Sequence, residues 1–183
     1  MKSSLLMAVL LAACAAQTQT LRIVPVHLDA TVAFPKTIGF FCSQDYRQQA
    51  CLRDAITLRL ALAAYPLERV GTWSFVLVPT DNWKESVPSV GDPVSPAFSI
   101  VEQRTTVLES SLFSPSPSRG EEFLKRFGKI GAALLDLAVT HELGHAICQD
   151  TNERHADDFG RGLRDKNPVD CAEKPGRLGH SGK

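Results

Sequence analysis

The chain lacks a net charge: among its 183 residues, 20 Lys and Arg balance 20 Asp and Glu. An extended nucleic-acid-binding face shows itself as an excess of Lys and Arg, so the balance argues against that class of partner. No apolar run approaches the ~20 residues a membrane-spanning helix needs. There is no C-x-x-C pair, which argues against a cysteine zinc site, and there is no internal repeat. What remains has the composition of an ordinary globular chain, 44% hydrophobic and 22% charged, far from disorder. The length is that of one domain with one core.

The N-terminus reads as an address. One positive residue, Lys2, precedes an apolar run from Leu5 to Ala13. A short basic start, a short apolar stretch and small residues after it are the pattern of a secretory signal peptide. The segment Leu11-Ala12-Ala13-Cys14 resembles the bacterial lipobox, which implies cleavage before Cys14 and lipidation of its sulfur. Ordinary cleavage at an A-x-A site such as Ala13-Cys14-Ala15 is the other reading. The expected organisation is a signal over 1–14, a tether over 15–20, one domain over 21–164 and a polar tail over 165–183. The expected location is the periplasm or cell envelope for a bacterial chain, and otherwise the secreted space. Membrane contact is expected only through a lipid on Cys14. Cys42, Cys51, Cys148 and Cys171 are then left, an even number in an oxidising compartment, and read as two disulfides. Three connectivities are open, and the local pairs Cys42–Cys51 and Cys148–Cys171 are favoured.

Loose alternation over Leu21–Ala33 predicts a strand, with Pro25 marking an edge or a bulge. Residues 44–65 carry good helix formers with apolar positions at helical spacing, and Pro66 ends them. Thr72–Val78 predicts a central strand. Trp73, Phe75 and Trp83 read better as core packing than as a binding stripe. Residues 80–97, preceded by Pro79 and holding Pro88, Pro93, Pro96 and Gly91, predict a surface loop. Residues 98–112 predict a strand or hairpin. A helical pattern runs from about Gly120 to Gln149, with a break at Gly128 or Gly131, and a second helix runs from about Asn152 to Leu163. The tail beyond reads as frayed.

His141-Glu142-Leu143-Gly144-His145 is H-E-x-x-H inside the long helix. Residues four apart share one helix face, so both imidazoles can reach one metal ion. Glu142 is displaced round the helix and can address a water on that metal. That is the arrangement metal-assisted hydrolysis needs, with the carboxylate as general base. The helix is apolar on several faces (Leu134, Leu135, Leu137, Val139, Leu143, Ile147). Two His and a Glu in such a setting are costly unless something satisfies them.

The following segment carries a resemblance. Metzincins place a Gly and a third His three and six residues after the motif, where this chain has Cys148 and Thr151. Asn152-Glu153-Arg154-His155-Ala156-Asp157 instead resembles the N-E-x-x-x-D context of gluzincins, the thermolysin-like zincin peptidases. The resemblance implies an α+β zincin-like fold. Its small, mostly antiparallel or mixed sheet would pack with an active-site helix, and a following helix would bring in the third ligand. It implies one Zn2+ ion held by His141, His145 and Glu153, with Asp157 orienting His141. His155 is a rival ligand, and Asp157 a less favoured one. Glu153 follows His145 by eight residues, a shorter link than in thermolysin. The family also has an edge strand on which extended substrate pairs, and in chain order residues 101–110 are expected to supply it. The family's downstream His and Tyr that steady the transition state have no counterpart here: only His180 follows His155, and Tyr46 and Tyr65 lie upstream. The leading expectation is a zinc metallopeptidase acting on a peptide or protein. The alternative is a non-catalytic zincin-fold binding module with a structural metal.

Overall fold

The computed structural model describes residues 22–28, 34–87, 94–167 and 170–171. The expected signal over 1–14, with Cys14, the tether and His180 lie outside them. So does most of the 165–183 tail. The fold is α+β. A five-stranded mixed sheet has the order β1-β2-β3-β5-β4, with β1 at Ile23–Pro25, β2 at Ile38–Ser43, β3 at Trp73–Val78, β4 at Ala97–Ile100 and β5 at Thr105–Glu109. The inner strands β2, β3 and β5 run parallel, and the two edges, β1 and β4, run antiparallel to their neighbours. Pro25 sits on an edge, where its missing N–H removes no ladder bond from the sheet interior.

Helix α1 (Gln48–Leu62) is the crossover between the parallel strands β2 and β3. The central strand β3 is apolar on both faces because both are covered. On one face Phe75 and Leu77 join Leu58 and Leu62 of α1 and the later helices in the main core. On the other, Val76, Val78 and Val107 pack with Trp83 and Phe98. Trp73, Phe75 and Trp83 are all buried, as core residues. The expected loop over 80–97 contains a 3-10 turn, Thr80–Asn82, that leads into one α-helical turn, α2 (Trp83–Ser86). Its tryptophan explains it: the ring packs 5.5 Å from Phe98, and the indole N–H donates to the Ser95 carbonyl at 3.0 Å.

The helical pattern beyond residue 116 divides where glycines permit it. Helix α3 (Pro117–Phe127) begins on an N-cap Ser116 and ends on Gly128 at φ 65°. Helix α4 (Ala132–Cys148) starts after Gly131 at φ 57°. Arg119 anchors α3 to the sheet: its guanidinium donates from two nitrogens to the buried Glu109 at the end of β5 and stacks 4.5 Å over Phe123. The final helix, α5 (Glu153–Arg164), is capped by Asn152, whose side chain accepts from the Arg154 and His155 amides.

Both favoured disulfides are present, Cys42–Cys51 joining β2 to α1 and Cys148–Cys171 joining the end of α4 to the chain beyond α5, with Cα separations of 6.3 and 5.2 Å. The segment read as frayed is thus pinned at Cys171. Two disulfides point to an oxidising, non-cytoplasmic location. No helix among the described residues is long and apolar enough to cross a membrane.

One strand assignment needs correcting. Residues 101–110 do not form the edge. Val101–Gln103 make a 3-10 turn, Arg104 adopts a left-handed conformation at φ 49°, and the chain doubles back. Thr105–Glu109 therefore lies inside the sheet, and Ala97–Ile100 is the edge strand beside α4.

Candidate metal centre

Helices α4 and α5 supply the donors, and two glycines set their distance. A Cβ on Gly144 would lie 2.8 Å from the Ala156 Cα, and one on Gly160 would lie 2.9 Å from the Thr140 carbonyl carbon. The helices meet backbone to backbone at both points. Gln149 in a left-handed conformation (φ 50°) ends α4 and turns the chain at once. Eight residues after His145 are then enough to return Glu153 to the histidines.

His141, His145 and Glu153 form a group whose ligand atoms lie within 4.8 Å of one another, close enough to hold a metal ion. Each imidazole is oriented from behind. His145 Nδ1 donates to the Asp150 carbonyl at 2.6 Å. A carbonyl only accepts, so Nδ1 carries a proton and Nε2 is the nitrogen left to serve as a ligand atom. His141 Nδ1 donates to Asp157 Oδ1 at 2.8 Å. The two Nε2 atoms face Glu153, at 3.1 Å from His141 and 3.7 Å from His145. A carboxylate and a nitrogen lone pair at that distance repel unless a proton or a metal cation lies with them. The donor set therefore fits a cation.

His155 is not part of the group. Its Nδ1 lies 2.5 Å from Asp150 Oδ2, and this bond holds the Asp150 carboxyl below its usual range. The upstream tyrosines are not at the site either: Tyr46 donates to Asp54 and Tyr65 to Asp136.

Glu142 is buried, only 3% exposed. Burial pushes its carboxyl up from the usual range, while neighbouring His141, the Ser99 hydrogen bond and His145 pull it down. Ser99 Oγ, on the edge strand, donates to Glu142 Oε2 at 2.6 Å. A cavity of about 530 Å3 opens in front of these groups. His141, Glu142, His145 and Glu153 line one side, Ala97–Ser99 of β4 another, and Phe127, Leu134 and Leu137 an apolar wall.

Several contributors were not singled out from the sequence. Gly144 and Gly160 carry a usable signal, since a glycine inside a helical pattern often marks a close approach. Ser99 and the Asp150 carbonyl carry none, because their roles arise from strand register and a turn. Comparison with protein-family models, curated proteins and solved structures gives no match.

Proposed function

We propose that the chain is an exported zinc-dependent metallopeptidase of the zincin type. The observation that carries this reading is the convergence of His141, His145 and Glu153 at a cavity that also holds Glu142 and an edge strand. Two imidazole nitrogens and one carboxylate are a zinc donor set, and three protein ligands leave the open position that catalytic sites keep. A zinc ion held by His141, His145 and Glu153 would supply Lewis acidity there, for a substrate carbonyl and for a water.

The remaining work falls to the chain's own residues. Asp157 and the Asp150 carbonyl hold the two imidazoles in the tautomer that presents Nε2. Glu142 is the general base: its carboxylate takes the proton of the attacking water and returns it to the leaving amine. Its buried setting favours proton uptake at that moment. Among the described residues, strand β4 pairs on one side only, with β5. Its other side is available to an extended peptide, which would add to the sheet as a further strand. The Phe127–Leu134–Leu137 wall gives such a peptide an apolar surface beside the donors.

The experiment is metal analysis and peptide hydrolysis of the protein beside Glu142→Gln. Both proteins are expected to bind one zinc, and the variant to lose about 10²–10⁴ in turnover. Equal cleavage by the two would remove Glu142 from its role. A wild-type protein that takes up no zinc would end the metallopeptidase reading.

A further inference from the structure

Glu142 is held from the sheet as well as from its own helix. Ser99 Oγ lies 2.6 Å from Glu142 Oε2 and 2.7 Å from Thr106 Oγ1. Thr106 Oγ1 in turn lies 2.9 Å from Trp73 Nε1. The directions follow from what each group can do. An indole N–H only donates, so Trp73 donates to Thr106. A carboxylate only accepts, so Ser99 commits its one proton to Glu142. Ser99 must then accept from Thr106, and all three donors point toward Glu142.

The register builds this chain. Ser99 and Thr106 are direct cross-strand partners in the antiparallel β4–β5 pair. Thr106 sits opposite Phe75, two residues along β3 from Trp73 and therefore on the same face. Thr106 and Trp73 are buried, where aligned hydrogen bonds strengthen one another. Glu142 accepts no other hydrogen bond from the described residues.

We propose that Ser99 is a positioning residue for Glu142: the Trp73–Thr106–Ser99 chain fixes Oε2 on the edge strand and leaves Oε1 as the oxygen offered to the cavity. Without it, rotation about the last side-chain bond exchanges the two oxygens. The use of this device rests on the proposal that Glu142 is a base; the coupling of Trp73 to Glu142 does not.

The test reads the far end of the chain. The sequence has two tryptophans. Trp73 donates into the chain, while Trp83 donates to the Ser95 carbonyl and serves as an internal reference. In isotope-labelled protein, Glu142→Gln moves the NMR resonance of the Trp73 indole N–H and leaves that of Trp83 in place. In a Ser99→Ala background, Glu142→Gln leaves Trp73 where it was. Thr106→Val uncouples the two ends in the same way without touching Ser99. An equal Trp73 response with and without Ser99, or no response in the wild-type background, overturns the proposal. Zinc titration is read separately: Ser99→Ala keeps the metal, whereas a wild type that binds no zinc refutes the peptidase reading and leaves the indole result to judge the coupling. On a quenched-peptide library, Ser99→Ala lowers kcat about tenfold at unchanged KM, the size of one charge-assisted hydrogen bond, and Ser99→Thr restores it.

Discussion

Replacing Gly144 with alanine tests whether the close approach of α4 and α5 makes the metal group. In a helix that packs against nothing, this change stabilises by about 1 kcal/mol through helix propensity. At Gly144 the new Cβ would stand 2.8 Å from the Ala156 Cα and 3.0 Å from its carbonyl oxygen. Both are backbone atoms and cannot swing aside. Carbon atoms pack at about 3.5–4.0 Å, so α5 must retreat by about 0.7 Å or more. Overpacking of this kind costs about 1–3 kcal/mol. The propensity gain offsets part of it, and a net loss of up to about 2 kcal/mol remains, or up to about 8 °C in Tm for a chain of this size. The larger effect falls on the metal. Glu153 begins α5, and a zinc site tolerates only about 0.2 Å in its ligand distances. Zinc affinity, measured by competition with a chelator, is expected to fall about tenfold or more. Gly160→Ala produces the same retreat from the other side, through Thr140. One displacement relieves both clashes, so the double variant should lose less than the two single losses combined. A Gly144→Ala protein with raised Tm and unchanged zinc affinity would refute the argument.

Asp157→Ala should leave folding almost untouched, because this side chain is 64% exposed. It should weaken zinc binding about 10–100-fold in a chelator competition, since His141 loses the acceptor on its Nδ1. Replacing Cys148 and Cys171 together by serine should cost about 3 kcal/mol in a urea titration, from reopening a loop with a sequence separation of 23; a loss under about 1 kcal/mol would mean that the unfolded chain is not constrained there. Burial, and then hydrogen bonds to Asp54 and Asp136, raise Tyr46 and Tyr65 above the ordinary tyrosine value. A raised folded value means that their contribution to stability is complete below about pH 10 and is lost as pH rises beyond it. These are the chain's only two tyrosines, so an ultraviolet titration should show almost no tyrosinate at pH 10 before unfolding, and a normal titration there would contradict the burial argument.

How much of this was readable beforehand depended on whether the determining contacts were local. Helix α4 declared itself by H-E-x-x-H in an apolar context, the break before it by Gly128 or Gly131, and the start of α5 by a residue near Asn152. These are signals carried within one or two helical turns. The two disulfides are the local pairs favoured among three open connectivities. The sheet edge did not follow, because it turns on Arg104, a residue with no glycine-like signature that nonetheless takes a left-handed conformation. That one position decides which of two β-prone segments lies outside. Helix α2 was hidden by the prolines around it, and only the burial of Trp83 accounts for it. In the site, the histidines and Glu153 were legible as a motif. What holds them was not: the glycine contacts, the Asp150 carbonyl and Ser99 belong to packing between elements, which spacing along the chain does not encode.

The two halves of the site differ in how far along the chain they reach. His141 and Glu153 are separated by 12 residues and His141 and Asp157 by 16, so the metal donors assemble within one helical hairpin. Glu142 meets Ser99 across 43 residues, and Trp73 meets Thr106 across 33. Short loops close fast, and long-range strand pairing is slow. The hairpin can therefore gather its donors before the sheet is complete, while the carboxylate acquires its fixed orientation only when β4 docks. On refolding of the full chain, topology would then order the α4–α5 hairpin first and the alignment of the Glu142 carboxylate last.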